Sequence, residues 1–444
     1  MRYPAAAFIS AVLLCNTGCI YADEAAMMEK IKALEAKVEA LEKKLSAQEG
    51  CVNDQQEKIT GYEAKFRDMD EKLHRETGVP ALKAAGLEIG AGATMIVQGT
   101  DNANAAEEKK TGRADASFSE DITISREFEG LNSEAFIHLE AGQGRQGLNN
   151  DLSLYSAVNA DAYNDDNVTV SEIWYEQGLF NDKALITFGK LDATVYFDTN
   201  EAANDETTQF LSYIFRSSPV IEFPDYTLAL RAAAMPVSWL EFNYGVFDGH
   251  SDWEEIGDNL FNIGEVTFKT KFFDLPGNYR FLGWSNKARH TEWLDPDKEK
   301  KSAYGFGLSF DQKVHDTVTL FTRYGWQDPK VYNPDITASG DLNYSLKHSW
   351  SAGLQVEGKP WRRENDVLGL AVGQVIPSGD YKKSFDPGLE CRNEGHFEAY
   401  YSIHINDHLS ISPDFQYIWD PFGKDIADDT DDIFVYGLRT QVDF

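Results

Sequence analysis

Hydrophobic and polar residues alternate in short segments along most of the chain after residue 86. In the segment FVYGLRTQVDF, Phe434, Tyr436 and Leu438 have one parity, whereas Arg439 and Gln441 have the other. A period of two is that of a β-strand whose two faces meet different surroundings. The alternation recurs in the segments GEVTFKTKF, SAYGFGLSF, SWSAGLQVEG and HFEAYYSIHIN. The pattern therefore predicts a chain built mainly of β-strands with one apolar and one polar face.

The lengths of the connections decide between a soluble sandwich and a membrane barrel, because both contain alternating strands. About 16 strands are predicted, at 87–97, 115–128, 132–141, 168–178, 183–191, 227–235, 238–247, 261–273, 277–287, 302–311, 316–326, 346–357, 366–376, 395–405, 409–418 and 433–444. Short turns are predicted at 129–131, 180–183, 236–237, 274–276 and 406–408, and they alternate with long loops. Short turns at one rim and long loops at the other are typical of outer-membrane barrels. We therefore expect an all-β transmembrane barrel of about 16 antiparallel strands over 87–444, with its last strand paired to its first.

Ahead of the barrel, apolar residues recur at alternating intervals of three and four, the heptad pattern of a coiled coil. The positions of this seam are Ile31, Leu34, Val38, Leu41, Leu45, Gln48, Val52, Gln55, Ile59, Tyr62, Phe66, Met69 and Leu73. Lysines occupy nearly all flanking g positions and acidic residues nearly all e positions, as in a parallel homo-oligomer. We therefore expect an α-helical coiled coil over 25–76. Its number of chains is open, because the first heptads favour a dimer and Gln48, Gln55 and Tyr62 weaken that preference.

The first 22 residues have the pattern of a secretory signal peptide. Arg2 provides a positive charge, an apolar run follows, and the segment IYA precedes an acidic pair. We expect cleavage after Ala22, since the apolar run is too short to span a bilayer as a helix. Cys51 and Cys391 then remain in different regions of the chain, so no disulfide framework is predicted.

The charge and the absence of chemical motifs exclude several classes of function. The formal net charge of −32 would repel the phosphates of a nucleic acid. The nine histidines are scattered, and the sequence contains no HExxH, GxSxG or Walker motif. We therefore predict that the protein is not an enzyme, and we predict no metal, no cofactor and no nucleic-acid partner.

The predicted loop 192–226 is the longest connection, and a loop of that length in a compact structure is usually functional. Its segment TTQFLSYIF is compatible with a short helix or an extra strand. The loop combines acidic residues with Arg216 and several aromatic residues. In general porins the third external loop folds inward and narrows the lumen, so we expect this loop to do the same.

Several segments, in this order, resemble the carbohydrate-selective porin family of Gram-negative outer membranes. They are the segment at 171–198, FLSYIF with the following Pro219, GVFDG at 245–249, and the segment at 398–421 that leads to YGLRTQVDF. The resemblance covers essentially all of 87–444. It implies a trimer of barrels that passes sugars by diffusion. Some members carry a periplasmic coiled coil with a wall-binding module ahead of it, which makes the cell wall a candidate partner.

The parity of each strand predicts which charged residues face the pore. The candidate pore-lining and constriction residues are Glu172, Trp174, Lys190, Asp198, Glu201, Arg216, Arg231, Arg323 and Arg439. Arg231, Arg323 and Arg439 are expected to form a cationic wall opposite Glu172 and the loop acids. Trp174 is the aromatic candidate for stacking on a sugar ring.

The predicted function is that of an outer-membrane porin for the passive diffusion of small hydrophilic solutes, with carbohydrates as the leading class. Two alternatives stay open: a general or ion-selective porin, and a structural tether between outer membrane and cell wall through the coiled coil. The predicted partners are small solutes, outer-membrane lipid and further copies of the chain. The coiled coil is expected in the periplasm.

Overall fold

The computed structural model describes residues 86–105, 112–144, 146–162, 167–300, 302–334, 344–385, 391–424 and 431–444. The predicted signal peptide (1–22) and coiled coil (25–76) lie outside these residues. No helix in the described part of the chain is long and apolar enough to cross a membrane.

Sixteen antiparallel strands close into a barrel in which each strand pairs with its neighbours in the chain and β1 pairs with β19. The barrel strands are β1 (Leu87–Thr100), β2 (Ala114–Phe128), β3 (Ser133–Gln143), β4 (Thr169–Leu179), β5 (Ala184–Leu191), β6 (Thr227–Val237), β7 (Leu240–Asp248), β8 (Leu260–Phe272), β9 (Leu275–Asn286), β12 (Ala303–His315), β13 (Val318–Gln327), β15 (Leu346–Glu357), β16 (Val367–Pro377), β17 (Glu394–Asn406), β18 (Leu409–Trp419) and β19 (Ile433–Asp443). Three short strands, β10 (His290–Glu292), β11 (Asp295–Lys300) and β14 (Val331–Tyr332), form a separate sheet. Every predicted barrel strand is therefore present, and the predicted barrel is confirmed.

The long connections lie at the rim opposite the short turns, as the sequence predicts. They are loop 1 (101–113), loop 2 (144–168), loop 3 (192–226), loop 4 (249–259), loop 5 (287–302), loop 6 (328–345), loop 7 (378–393) and loop 8 (420–432). The small sheet belongs to loops 5 and 6, where no strand was predicted.

Two of the predicted short turns are misplaced. The turn predicted at 236–237 lies at Ser238 and Trp239, because β6 continues through Pro236 to Val237. The register shifts between Ala234 and Val237, and such an irregularity accommodates a proline that cannot donate to the sheet. The turn predicted at 274–276 is made by two residues with left-handed backbone, Phe273 and Asp274.

The two faces of the wall differ in chemistry, as alternation predicts. Apolar side chains such as Phe188 (54% exposed) and Leu230 (53% exposed) cover the outside, where lipid belongs. Inward side chains such as Thr187 and Ser309 are polar and fully buried. In β19, Tyr436 is 58% exposed and Arg439 is 1% exposed, so Arg439 points inward.

Much of the lumen is filled by loops. Phe210, Ile214 and Phe215 of loop 3 form one apolar cluster with Phe321 and Tyr400 of the wall. The segment TTQFLSYIF contributes a short helix, α1 (Tyr213–Arg216), which is one of its two predicted forms. The inward folding of the third long loop is therefore confirmed.

Candidate functional site

A buried ion pair holds loop 3 against β13. The guanidinium of Arg323 donates hydrogen bonds to the carbonyl oxygens of Asp198 (2.8 Å) and Phe215 (2.5 Å), and its Nε lies 3.3 Å from Oδ2 of Asp198. Both side chains are 2% exposed. Burial raises the pKa of the Asp198 carboxyl, whereas Arg323 and the backbone N–H of Ser218 oppose that rise. Arg323 and Asp198 are therefore structural partners and leave no free charge for the pore.

A second buried carboxylate holds the middle of loop 3. Glu398 of β17 accepts hydrogen bonds from the backbone N–H groups of Leu211 (2.7 Å) and Ser212 (2.9 Å). Nearby, Nη1 of Arg439 donates to the carbonyl oxygens of Glu206 and Gln209, each at 2.7 Å. These bonds supply partners for backbone groups that the packed lumen removes from water.

The third predicted wall arginine also has partners in the wall. Arg231 of β6 donates to Asn243 (2.8 Å) and to Glu176 (3.2 Å), and its guanidinium lies 4.3 Å from the centre of the Tyr196 ring. Asn243 in turn donates to the carbonyl oxygen of Tyr196 in loop 3. The predicted cationic wall of Arg231, Arg323 and Arg439 is therefore wrong: all three point inward, but each is buried against loop 3 or its neighbours.

Loop 2 also enters the lumen and is held by one carboxylate. Glu394 of β17 accepts hydrogen bonds from the backbone N–H groups of Tyr155 and Ser156 in loop 2 and of Phe422 in loop 8. His396 lies 2.8 Å from the same carboxylate. Glu394 is fully buried, so this carboxylate joins two external loops inside the barrel.

A cavity of about 670 Å³ remains between the loops and the wall formed by β2, β3 and β4. That volume falls within the range of about 300–1,000 Å³ that is usual for small-molecule sites. On the wall, Asp121, His138, Glu140 and Glu172 line the cavity. We call this wall the open side of the lumen, and the wall that loop 3 covers, from β7 to β19, the packed side.

The four wall side chains of the cavity form a connected polar group. Nε2 of His138 lies 2.8 Å from Asp121, and its Nδ1 lies 4.0 Å from Glu172. Glu140 accepts hydrogen bonds from Ser171 and from the hydroxyl of Tyr226. Ligand atoms of Asp121, His138 and Glu140 lie within 4.8 Å of one another, close enough to share one cation.

The loops provide most of the rest of the lining, including five further carboxyl side chains. These are Asp161, Asp192, Asp205, Glu206 and Asp225. Arg216 is the one arginine of the described lining, and its Nε lies 2.7 Å from Glu206. Burial alone would lower the pKa of Arg216, but Glu206 and Asp192 raise it. Arg216 therefore keeps its charge and neutralises one of these acids.

Lys190 was predicted to face the lumen, and that prediction is wrong. On β5 the inward positions are those of Thr187 and Leu191, whereas Lys190 pairs with the outward residue Ile173. Its ammonium donates to the carbonyl oxygen of Val170 and lies 5.9 Å from the centre of the Tyr226 ring.

The other predicted site residues are divided between the cavity and its surroundings. Glu172 and Arg216 line the cavity. Trp174 faces inward but stacks on Phe136 at 4.9 Å between ring centres. A Cβ added to Gly189, which has φ of +145°, would lie 2.7 Å from Cα of Trp174, so this close packing requires glycine. Glu201 is exposed and does not line the cavity.

Sequence reasoning missed most of the lining. Asp121, His138 and Glu140 lie on two adjacent predicted strands, and their inward parity could have been found from the segments SEDITIS and FIHLEA. The contribution of loop 2 had no comparable signal, because the path of a long loop does not follow from local alternation. Asp161, a residue of loop 2 that lines the cavity, is an example.

The comparisons with known proteins agree with this architecture. The family model described as "Carbohydrate-selective porin, OprB family" matches residues 111–444. A solved structure, the high-pH form of Pseudomonas putida OprB, is similar with a TM-score of 0.70 and 19% identity, covering 82% of this chain and 96% of that chain. The low-pH form has a TM-score of 0.51 and 16% identity, covering 82% and 95%.

A curated protein of Aquifex aeolicus (strain VF5), described as uncharacterized, is 22% identical over 267 residues, which cover 60% of this chain and 67% of that protein. The family match spans most of the chain, including nearly all of the barrel. Members of this family are channels and not enzymes. The chain thus belongs to the OprB family of carbohydrate-selective porins and is an outer-membrane porin.

Proposed function

We propose that sugars diffuse through the cavity on the open side of the lumen, with Glu172 and Arg216 among the groups that contact them. The observation that supports this proposal is the chemistry of the residues that line the cavity. Carboxylates and a guanidinium can bond sugar hydroxyls, and Phe223 and Tyr226 add aromatic groups to the same lining. Polar groups and aromatic faces together suit a solute with hydroxyls on its edge and apolar ring faces.

Conductance of the purified full-length protein in a planar bilayer tests the sugar assignment. We expect glucose or an oligosaccharide to reduce the ion current while it occupies the cavity. A current that no sugar reduces, together with strong ion selectivity, would contradict the assignment and favour a general or ion-selective porin.

A variant at the cavity tests whether sugar passes through this cavity or by another route through the barrel. Glu172→Gln removes a lining charge and keeps its shape, so block by sugar should weaken. Glu201→Gln is the matched control, because Glu201 is an exposed acid of loop 3 outside the cavity. Equal block in wild type and in both variants would mean that sugar does not use this cavity.

The chain is further proposed to assemble as a parallel homo-oligomer, with a trimer as the expected form and the coiled coil in the periplasm. The heptads with lysine at g and acids at e support this proposal. Deleting 25–76 should reduce the number of chains in the native assembly, measured from its mass in detergent, while sugar uptake survives. An unchanged number of chains would place the contacts in the barrel.

The heptads also favour the second candidate role, a tether between outer membrane and cell wall. Retention of the full-length protein on purified cell wall, lost on deletion of 25–76, would support that role. Loss of sugar uptake without loss of envelope integrity in the deletion variant would contradict it.

A further inference from the structure

The charge of the lumen is unevenly distributed between its two sides. On the packed side, Arg323 and Arg439 donate to loop 3 carbonyls, and both are at most 2% exposed. Buried donors with such partners do not meet a passing solute. The arginine charges that alternation predicts for the pore are therefore not exposed to a solute in it.

On the open side the balance is reversed. Eight carboxyl side chains line the cavity in the described residues, against the single guanidinium of Arg216 and the imidazole of His138. Arg216 is already paired with Glu206 at 2.7 Å. The remaining acids have no lysine or arginine partner within the described lining. Carboxylates with few compensating cations give a negative potential in a cleft between protein walls.

One carboxyl oxygen among these acids also lacks a hydrogen-bond donor. Asp161 accepts a hydrogen bond from Ser119 at Oδ1 (2.9 Å), but its Oδ2 is buried and has no partner in the part of the chain that the structure describes. Burial and the neighbouring Glu206 raise the pKa of Asp161 well above its usual range. Besides Asp161, seven carboxyl groups line the cavity. A buried carboxyl oxygen without a donor is a site that a cationic donor would fit.

We propose that the cavity selects solutes by charge, taking sugars that carry a primary ammonium in preference to neutral sugars and disfavouring sugar acids. The ammonium would donate to the carboxylates of Asp121, Glu140 and Glu172, while the ring keeps the contacts proposed for neutral sugars. This inference rests on the proposed function of the cavity and adds the charge class of its preferred solute.

Swelling of liposomes that contain the full-length protein tests the proposal with matched probes. The probes are glucose, 2-amino-2-deoxyglucose, its N-acetyl derivative and glucuronate. Acetylation removes the ammonium charge and keeps the ring, so it isolates the effect of charge. We expect the amino sugar to enter about fivefold faster than its N-acetyl derivative, the effect of about one unit-charge contact in water. Glucuronate should be the slowest probe.

The double variant Asp121→Asn with Glu140→Gln removes two lining charges and should reduce that ratio towards one. Glu134→Gln is the matched control. Glu134 lies inward on the same strand as Glu140 but six residues away, roughly 20 Å, which is beyond the screening length in 0.15 M salt. The control should keep the ratio of wild type.

The outcomes are distinguishable. If glucose enters but the amino sugar and glucuronate enter equally fast, the charge inference is overturned and the proposed function stands. If no sugar enters, the proposed function itself fails. An equal loss of the ratio in the control would show that the charge lies elsewhere in the lumen, which also overturns the inference.

A second measurement does not depend on the folding of any variant. The reversal potential of the wild-type channel in a KCl gradient should show preference for K⁺ over Cl⁻, and the preference should fall as salt is raised towards 1 M. Preference for Cl⁻ would overturn the inference.

Discussion

The packed and open sides of the lumen carry the same residue types and use them differently. On the packed side, Arg323, Glu398 and Arg439 bond the backbone of loop 3 and are shielded from water. On the open side, Asp121 and Glu140 line a cavity. The difference shows that an inward charge in a barrel becomes a pore group only where no loop covers it. Strand parity alone does not decide its role.

The largest expected effect comes from breaking the buried ion pair of the packed side. Arg323→Ala leaves Asp198 buried without its cation, and loss of one partner of such a pair costs about 3–5 kcal/mol. We expect a lower temperature of heat denaturation, measured by circular dichroism, and a larger and noisier single-channel current as loop 3 is released.

Arg126→Ala is the control, because Arg126 is an exposed arginine near the short-turn rim. Wild-type stability and a steady current in Arg323→Ala would mean that the buried ion pair is not needed to hold loop 3. In that case a buried ion pair would not be what distinguishes the packed side from the open side.

The next effect concerns the carboxylate that holds the middle of loop 3. Glu398→Gln weakens the acceptor for the N–H groups of Leu211 and Ser212, at a cost of about 1–3 kcal/mol. Hydrogen exchange at those two amides should accelerate relative to wild type. Glu88→Gln, at an exposed position of β1, should leave their exchange unchanged. Unchanged exchange in Glu398→Gln as well would show that loop 3 has other sufficient acceptors.

A smaller effect is expected on the open side, where a charge faces the cavity. Glu172→Gln keeps the size of the side chain and its hydrogen bond from the N–H of Asp192, so stability should stay close to wild type. The ratio of K⁺ to Cl⁻ permeability should fall by up to about fivefold. A loss of stability without a change in the permeability ratio would show that Glu172 stabilises the fold, as the charges of the packed side do, and does not act on passing ions.

The smallest effect is expected for the outward lysine. Lys190→Gln removes a positive charge that lies on the outer side of β5, so its effect on the permeability ratio should be smaller than that of Glu172→Gln. The reversal potentials of the two variants, measured in one salt gradient, check this order. The opposite order would show that the ammonium of Lys190 reaches the water of the lumen.

The strands could be predicted from the sequence because the alternation that marks each strand lies within one short segment. Alternation places each side chain on one face, and the loop lengths sort the two rims. Alternation also predicted the inward position of Arg231, Arg323 and Arg439. The prediction for Lys190 did not follow the alternation, because Lys190 has the parity of the outward residues Ile186 and Phe188.

The roles of the inward charges could not be predicted, because they depend on contacts between distant parts of the chain. Arg323 bonds residues 125 and 108 positions away, and Arg439 bonds one that is 233 positions away. No local pattern in either strand records which loop will cover it. For the same reason the open side emerged only from the paths of loops 2 and 3.

The carboxylate of Glu394 has a consequence for the order in which the protein acquires its structure. It bonds Tyr155, which precedes it by 239 residues, and Phe422, which follows it. Loop 2 is synthesised long before β17, so its backbone waits for an acceptor until most strands have been added. Contacts of such sequence separation form late, since closing the intervening chain is slow. By the same argument the interior that determines what passes through the barrel is set late, together with the pairing of β1 with β19 that closes the wall.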